Sequence, residues 1–202
     1  MSVRSNNSRD RILEVAESII LKKGFAGTSI EDVLDQAAIT KGGFFYHFKG
    51  KAELAQALVQ RYLEADEKVF DGLFTRADEL SEDPLQQLLI FLKLFSEMMM
   101  ELESAHPGCL VASFTYESQQ FNETIRELMS RGVLSWREMI ADRLRLIMTT
   151  REPKVEVSVD ALADMFTSSV EGGILLSLVL KNNDHIVEQV SAYRTHLRLI
   201  FE

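Results

Sequence analysis

Residues Thr40 to Lys51, TKGGFFYHFKGK, gather lysine ammonium groups, threonine and tyrosine hydroxyls, an imidazole and four aromatic rings into one short stretch. Such donors, together with the free amides at a helix start, are the groups that hydrogen-bond phosphate oxygens. Gly42 and Gly43 strip side-chain bulk from the same place. That costs about 1 kcal/mol per residue of helix propensity relative to alanine, which makes sense only where close approach is needed. The chemistry this stretch suits is binding to a polyanion. A second candidate pair, His106 and Cys109, has a base and a nucleophile three residues apart, but no third residue to orient them is evident. The four histidines form no HExxH motif and no i, i+4 pair, so metal ligation is unsupported. Neither catalysis, nor a metal, nor a cofactor is expected.

Charge supports a polyanion partner for one end of the chain. Residues 1–51 carry eight Lys/Arg against six Asp/Glu, a surplus of two positive charges. The whole chain has net charge −9, so the remainder carries −11. A mildly positive head on an acidic body suits contact with a polyanion through the head alone. The 202 residues, 46% of them hydrophobic, can hold one sizeable domain or a small module joined to a larger one. No uninterrupted apolar run reaches the roughly 18 residues of a membrane span; GGILLSLVL is half that. The polar opening MSVRSNNSRDR is not the core of a signal peptide, and a lone Cys109 fits a reducing compartment. A cytoplasmic protein without membrane contact is expected.

Helices must position these groups. Ile12, Val15, Ala16, Ile19 and Ile20 make one apolar stripe over about residues 8–22, closed by Gly24 as C-cap. Thr28 and Glu31 have capping-box spacing before a second helix whose Ile30, Val33, Leu34 and Ala37 point inward. Thr40 caps a brief third helix, about 41–47, with Phe44, Phe45 and Phe48 read as core and Lys41, Gly42, Gly43, Tyr46 and His47 as outer face. Gly50 precedes a fourth helix reaching Phe74, and ADELSED is a linker. Asp83-Pro84, Asn122 and Ser158 then cap long helices, a short one follows the break SAHPG, and a last one follows NND. About nine helices and no convincing strand make the chain all-α. Two short helices joined by a tight turn, the second capped by threonine, form a helix-turn-helix pattern. Lys22 and Lys23 read as solvated charges at a helix end.

From Ser8 to Leu54 the chain resembles the DNA-binding domain of the TetR family of transcriptional regulators. The resemblance is carried by Thr28, Ala37, Ala38, Thr40, Lys41, Gly42, Phe45, Tyr46, His47, Phe48, Lys51 and Leu54 at the family's spacings. Ile39 stands where valine is commoner, Gly43 where a small Thr, Ser or Ala is usual, and Gly50 where serine often caps. The resemblance implies DNA contacts from Thr28, Thr40, Lys41, Gly42, Gly43, Tyr46, His47 and Lys51. It also implies an N-terminal three-helix domain, residues 1–52, followed by a helical ligand-binding and dimerisation bundle, residues 53–202.

One small helix-turn-helix reads few base pairs, so two copies at fixed spacing on a palindromic operator are needed for useful specificity. Leu162, Gly173, Ile174 and Leu178 on the penultimate helix, with Val190, Tyr193 and Leu197 on the last, are the candidates for a homodimer seam. Small Gly172, Ser168, Ser169 and Ser177 would let backbones approach. The middle of the chain is rich in methionine and aromatics, which suits a site for varied apolar molecules. Its candidate lining is Phe95, Met98, Met99, Cys109, Phe114, Trp136, Met139, Met165, Phe166 and Ser169. Cys109, opening a helix after HPG, reads either as a small buried hydrophobe or as a thiol open to electrophiles. The function expected is a ligand-responsive, dimeric DNA-binding repressor released by a small apolar or electrophilic effector. The alternative is a binding module or cysteine-based sensor without direct repression.

Overall fold

The computed structural model describes residues 3–102, 104 and 106–202. Its elements are α1 (Val3–Lys23), α2 (Ile30–Ala37), α3 (Lys41–His47), α4 (Lys51–Leu80), α5 (Pro84–Met100), α6 (Leu110–Tyr116), a single 3-10 turn (Ser118–Gln120), α7 (Glu123–Met148), α8 (Val159–Leu180) and α9 (Asp184–Phe201). The described residues contain no strand, and the chain is all-α as its periodicity predicts.

Side-chain caps set most helix starts. Asp83 accepts the Gln86 N–H at 2.9 Å with Pro84 at the first helical position, Asn122 accepts the Ile125 N–H at 3.0 Å, and Ser158 accepts the Ala161 N–H at 3.3 Å. Each such cap contributes about 1 kcal/mol. α4 continues past Phe74 to Leu80. The acidic run that reads as a linker is good helix-forming sequence, and the first true stop is the Asp83-Pro84 cap. Of the SAHPG break, Ala105 lies outside the described residues. Ser104 and His106 are held by Asn183, whose Nδ2 donates to the Ser104 carbonyl at 2.8 Å and whose Oδ1 accepts the His106 N–H at 2.9 Å.

The chain forms two compact units that do not divide at residue 52. One comprises residues up to Ala65 together with Pro107–Arg131; the other comprises Asp66–His106 and Gly132–Glu202. In the first, Ile12, Leu13, Ala16 and Ile20 of α1 are buried with Val33, Ala37, Phe44, Phe48, Leu54 and Leu58. α6 joins that unit by packing on α1.

In the second unit α5 buries Leu85, Leu88, Leu89, Phe91, Leu92 and Phe95, which accounts for a helix apolar on more than one side. α9 packs on both α5 and α8. A Cβ at Gly173 would stand 2.7 Å from Ile186 Cα, so α8 and α9 pass backbone to backbone there. Tyr193 is fully buried, donates its hydroxyl to the Leu162 carbonyl at 3.0 Å, and has its phenol pKa raised by burial. By length and composition α8 alone among the described helices could cross a membrane. Here its apolar surface is shared between a core side (Leu162, Ala163, Phe166, Ile174) and an exposed side (Leu175, Leu176, Leu178, Val179).

Candidate nucleic-acid interface

The first unit builds the interface from α1 upward. Gly24 ends α1 in the left-handed region, φ +79°, with its N–H bonded to the Ile20 carbonyl at 2.8 Å. Glycine is the residue that takes this conformation without cost. The capping box of α2 lies one residue later than Thr28 and Glu31. Ser29 accepts the Asp32 N–H at 3.0 Å, and Asp32 accepts the Ser29 N–H at 2.8 Å. Lys23 pairs with the same carboxylate at 2.8 Å. The Lys23 hydrogen bond first, then those from Ser29, hold Asp32 far below the usual carboxylate range. Lys23 is therefore a cap partner rather than a merely solvated charge. Thr28 is 2% exposed and donates its hydroxyl to the Gly24 carbonyl at 2.7 Å, which directs it into the turn and away from any outside ligand.

Thr40 caps α3 as its spacing predicts, accepting the Gly43 N–H at 3.1 Å. At 100° per residue, Lys41, Phe45, Gly42 and Tyr46 fall within one arc of about 140°. All four are exposed, Tyr46 at 70%. Phe44 and Phe48 turn inward, 0% and 2% exposed. Phe45, read from sequence as core, is instead 45% exposed. Its i, i+4 relation to Lys41 is the signal that places it outside. A Cβ at Gly42 would meet nothing within 4 Å, whereas one at Gly43 would press on Ile39 Cγ2 at 3.0 Å and Thr40 Oγ1 at 3.3 Å. Gly43 thus clears space for the cap inside the head.

His47 and Lys51 are engaged within the unit. His47 Nε2 lies 2.7 Å from Ser8 Oγ, and its ring meets Tyr46 edge to face with centroids 4.9 Å apart. Lys51 opens α4, donates to the Phe25 carbonyl and sits 4.1 Å over the Phe25 ring. Burial lowers its ammonium pKa, opposed by the charge of Glu117. The surface left outward is small, aromatic and cationic, with open backbone at Gly42.

The family model described as bacterial regulatory proteins, tetR family, matches residues 12–58, and the tetracyclin repressor-like C-terminal domain matches residues 84–193. A helix-turn-helix-type transcriptional regulator from the lacX 3′ region of Lactococcus lactis subsp. lactis is 30% identical over 145 residues, 68% of each chain. The chain belongs to the TetR family. The helix-turn-helix-type regulator LmrA of Bacillus subtilis is 28% identical over 182 residues, 88% of this chain and 89% of its own. A TetR-family regulator from Agrobacterium tumefaciens has the same fold, with TM-score 0.80 over 98% of this chain and 100% of its own, at 21% identity. This chain is thus a helix-turn-helix regulator of transcription. TetR-family regulators bind DNA and small-molecule effectors and act as dimers.

In this TetR-family chain the residues named for a dimer seam mostly face its own core. Leu162, Gly173, Ile174, Val190, Tyr193 and Leu197 are buried within the second unit; Leu178 is exposed. α8 has two apolar sides, and periodicity alone did not say which belongs to the protomer. The outward stripe is instead Gly172, Leu175, Leu176 and Val179, at i, i+3, i+4 and i+7, with Leu199 exposed on α9.

Of the ligand candidates, Phe95 and Phe166 meet with centroids 5.8 Å apart, and Phe70 and Phe91 join the same aromatic cluster. Phe70 lies on a stretch of α4 rich in charge, which masked it in the sequence. Met99 is buried beside them in sequence, while Met98, Trp136, Met139, Met165 and Ser169 are half-buried. Cys109 and Phe114 belong to the other unit, where Phe114 packs on Phe25 and Phe121 with centroids 5.3 and 4.6 Å away. Cys109 is 5% exposed and caps α6, its thiol accepting the Ala112 N–H at 3.4 Å.

Proposed function

We propose that this TetR-family regulator is a repressor that binds a palindromic operator as a homodimer and is released by a small apolar effector. The observation that carries the reading is the outward arc of α3, where Lys41, Phe45, Gly42 and Tyr46 stand exposed behind the Thr40 cap. A lysine and a phenol supply phosphate contacts, an exposed phenyl suits a thymine methyl, and a bare glycine admits close approach. Thr40 and the α3 amides add donors, and His47 orients Tyr46. Lys51 and Thr28 support the head from inside.

The exposed stripe Leu175, Leu176 and Val179 supports pairing of two copies through α8 and α9, because an apolar stripe of this kind is covered in a stable assembly. The Phe70, Phe91, Phe95 and Phe166 rings with the neighbouring methionines support an apolar effector. Effector binding would favour a conformation in which the paired heads no longer match the half-site spacing. A repressor then leaves its operator.

The test is selection of bound sequences from random duplexes, followed by a release screen with apolar and electrophilic compounds. A two-fold symmetric consensus, bound more weakly as salt rises, is the expected result. Recovery of no consensus, or salt-independent binding, refutes the reading.

A further inference from the structure

The turn between α1 and α2 is held by a residue far along the chain. Both carboxylate oxygens of Glu117 accept backbone N–H groups from this turn: Oε1 from Phe25 and Oε2 from Ala26, each at 2.7 Å. Two successive amides aimed at one anion form a backbone cradle, and charge-assisted bonds of this length are the strong kind. Gly24 makes room for the carboxylate; a Cβ there would lie 2.7 Å from Glu117 Oε1. Gln120 Nε2 donates to Oε2 at 3.2 Å from the other side.

The same turn is gripped on either side of Glu117 in sequence. Phe114 and Phe121 pack on the Phe25 ring, with centroids 5.3 and 4.6 Å from it. Lys51 donates to the Phe25 carbonyl and sits over the same ring. Lys23, on the near end of the turn, reaches across to Asp32 of α2. α1 packs against both α2 and α3. The turn is therefore the joint that sets how α2 and α3 stand on α1.

We propose that Glu117 is a positioning residue for DNA contact: its carboxylate fills the cradle formed by the Phe25 and Ala26 amides and fixes the angle at which the helix-turn-helix is presented. The proposal rests on the reading of the α3 arc as the duplex contact. Without the carboxylate, the Phe25 and Ala26 amides lose their shared acceptor and Lys51 loses the opposing charge of Glu117. The head then samples more than one angle, and specific binding falls although no residue touching DNA has changed.

Chemical rescue tests this in the full-length protein. Glu117→Ala is expected to bind the selected duplex about tenfold more weakly than wild type. Replacing chloride with acetate at equal ionic strength should recover about threefold of that loss, because a free carboxylate refills the cradle. Wild-type binding should show only the general gain from a weaker competing anion, and the rescue is read as the gain of the alanine variant beyond it. Hydrogen exchange at the Phe25 and Ala26 amides should be slow in wild type, fast in the alanine variant, and slow again with acetate. Should the alanine variant fail to fold, Glu117→Gln keeps the shape and one acceptor oxygen, and is expected to melt with wild type and bind about fivefold more weakly. Binding within about twofold of wild type by either variant overturns the proposal, as does a loss in the alanine variant that acetate leaves unchanged. If wild type selects no duplex, the operator reading fails, and amide exchange alone decides: unprotected Phe25 and Ala26 amides in wild type overturn the role given to Glu117.

Discussion

Substituting Gly42 by alanine should raise stability and lower DNA affinity at once. Within the chain the new methyl meets nothing inside 4 Å, so folding bears no steric cost. Alanine is favoured over glycine in a helix by about 0.5–1 kcal/mol. For a chain of this size that corresponds to a rise in melting temperature of roughly 1–4 °C. On DNA the methyl stands on the arc between Lys41 and Tyr46, where it holds the helix backbone away from the phosphates. Losing one close backbone contact costs about 1–1.5 kcal/mol per half-site. A dimer on a symmetric site loses it twice, about 2–3 kcal/mol, which is roughly 30–150-fold in Kd. Thermal melting and fluorescence anisotropy on the selected duplex, at one fixed salt concentration, measure both. If Gly42→Ala binds within about twofold of wild type, the helix start does not approach the duplex and the placement of α3 in a groove is wrong.

Lys41→Ala should leave the melting temperature unchanged and flatten the plot of log affinity against log salt by about 2 for the dimer, one phosphate contact per half-site. Leu176→Asp adds a charge to an exposed position and should convert dimers to monomers in sedimentation while helical content stays constant; an unchanged sedimentation profile moves the seam elsewhere. Cys109→Ser retains a capping oxygen on α6 and should fold and bind DNA as wild type does. If the wild type leaves the duplex on treatment with a quinone and the serine variant does so equally, modification of Cys109 is not the route of release.

Much of the fold was legible because helices announce themselves locally. The caps at Thr40, Asp83, Asn122 and Ser158 and the left-handed stop at Gly24 need only neighbouring residues, and each stands where spacing put it. The cap of α2 was displaced by one residue because Thr28 and Ser29 are both competent, and Lys23 favours Asp32 over Glu31 as the reciprocal partner. Phe45 was misjudged because Phe44, Phe48 and Phe45 span only about 100° of the helix, so periodicity alone does not exclude it from the inner side. The exposed face of α8 stayed hidden because its sequence is apolar on both sides. The link from Glu117 to the first turn spans 91 and 92 residues, and no local pattern reports a contact of that separation.

The membership of Pro107–Arg131 in the same compact unit as the helix-turn-helix bears on how such regulators can be recombined. A chimera that transplants only residues 1–52 onto a related body would strip Phe25 of Phe114 and Phe121 and leave its amide without an acceptor. The exchangeable module is discontinuous. A graft that carries both segments brings its own turn support along, and operator choice should then travel with it.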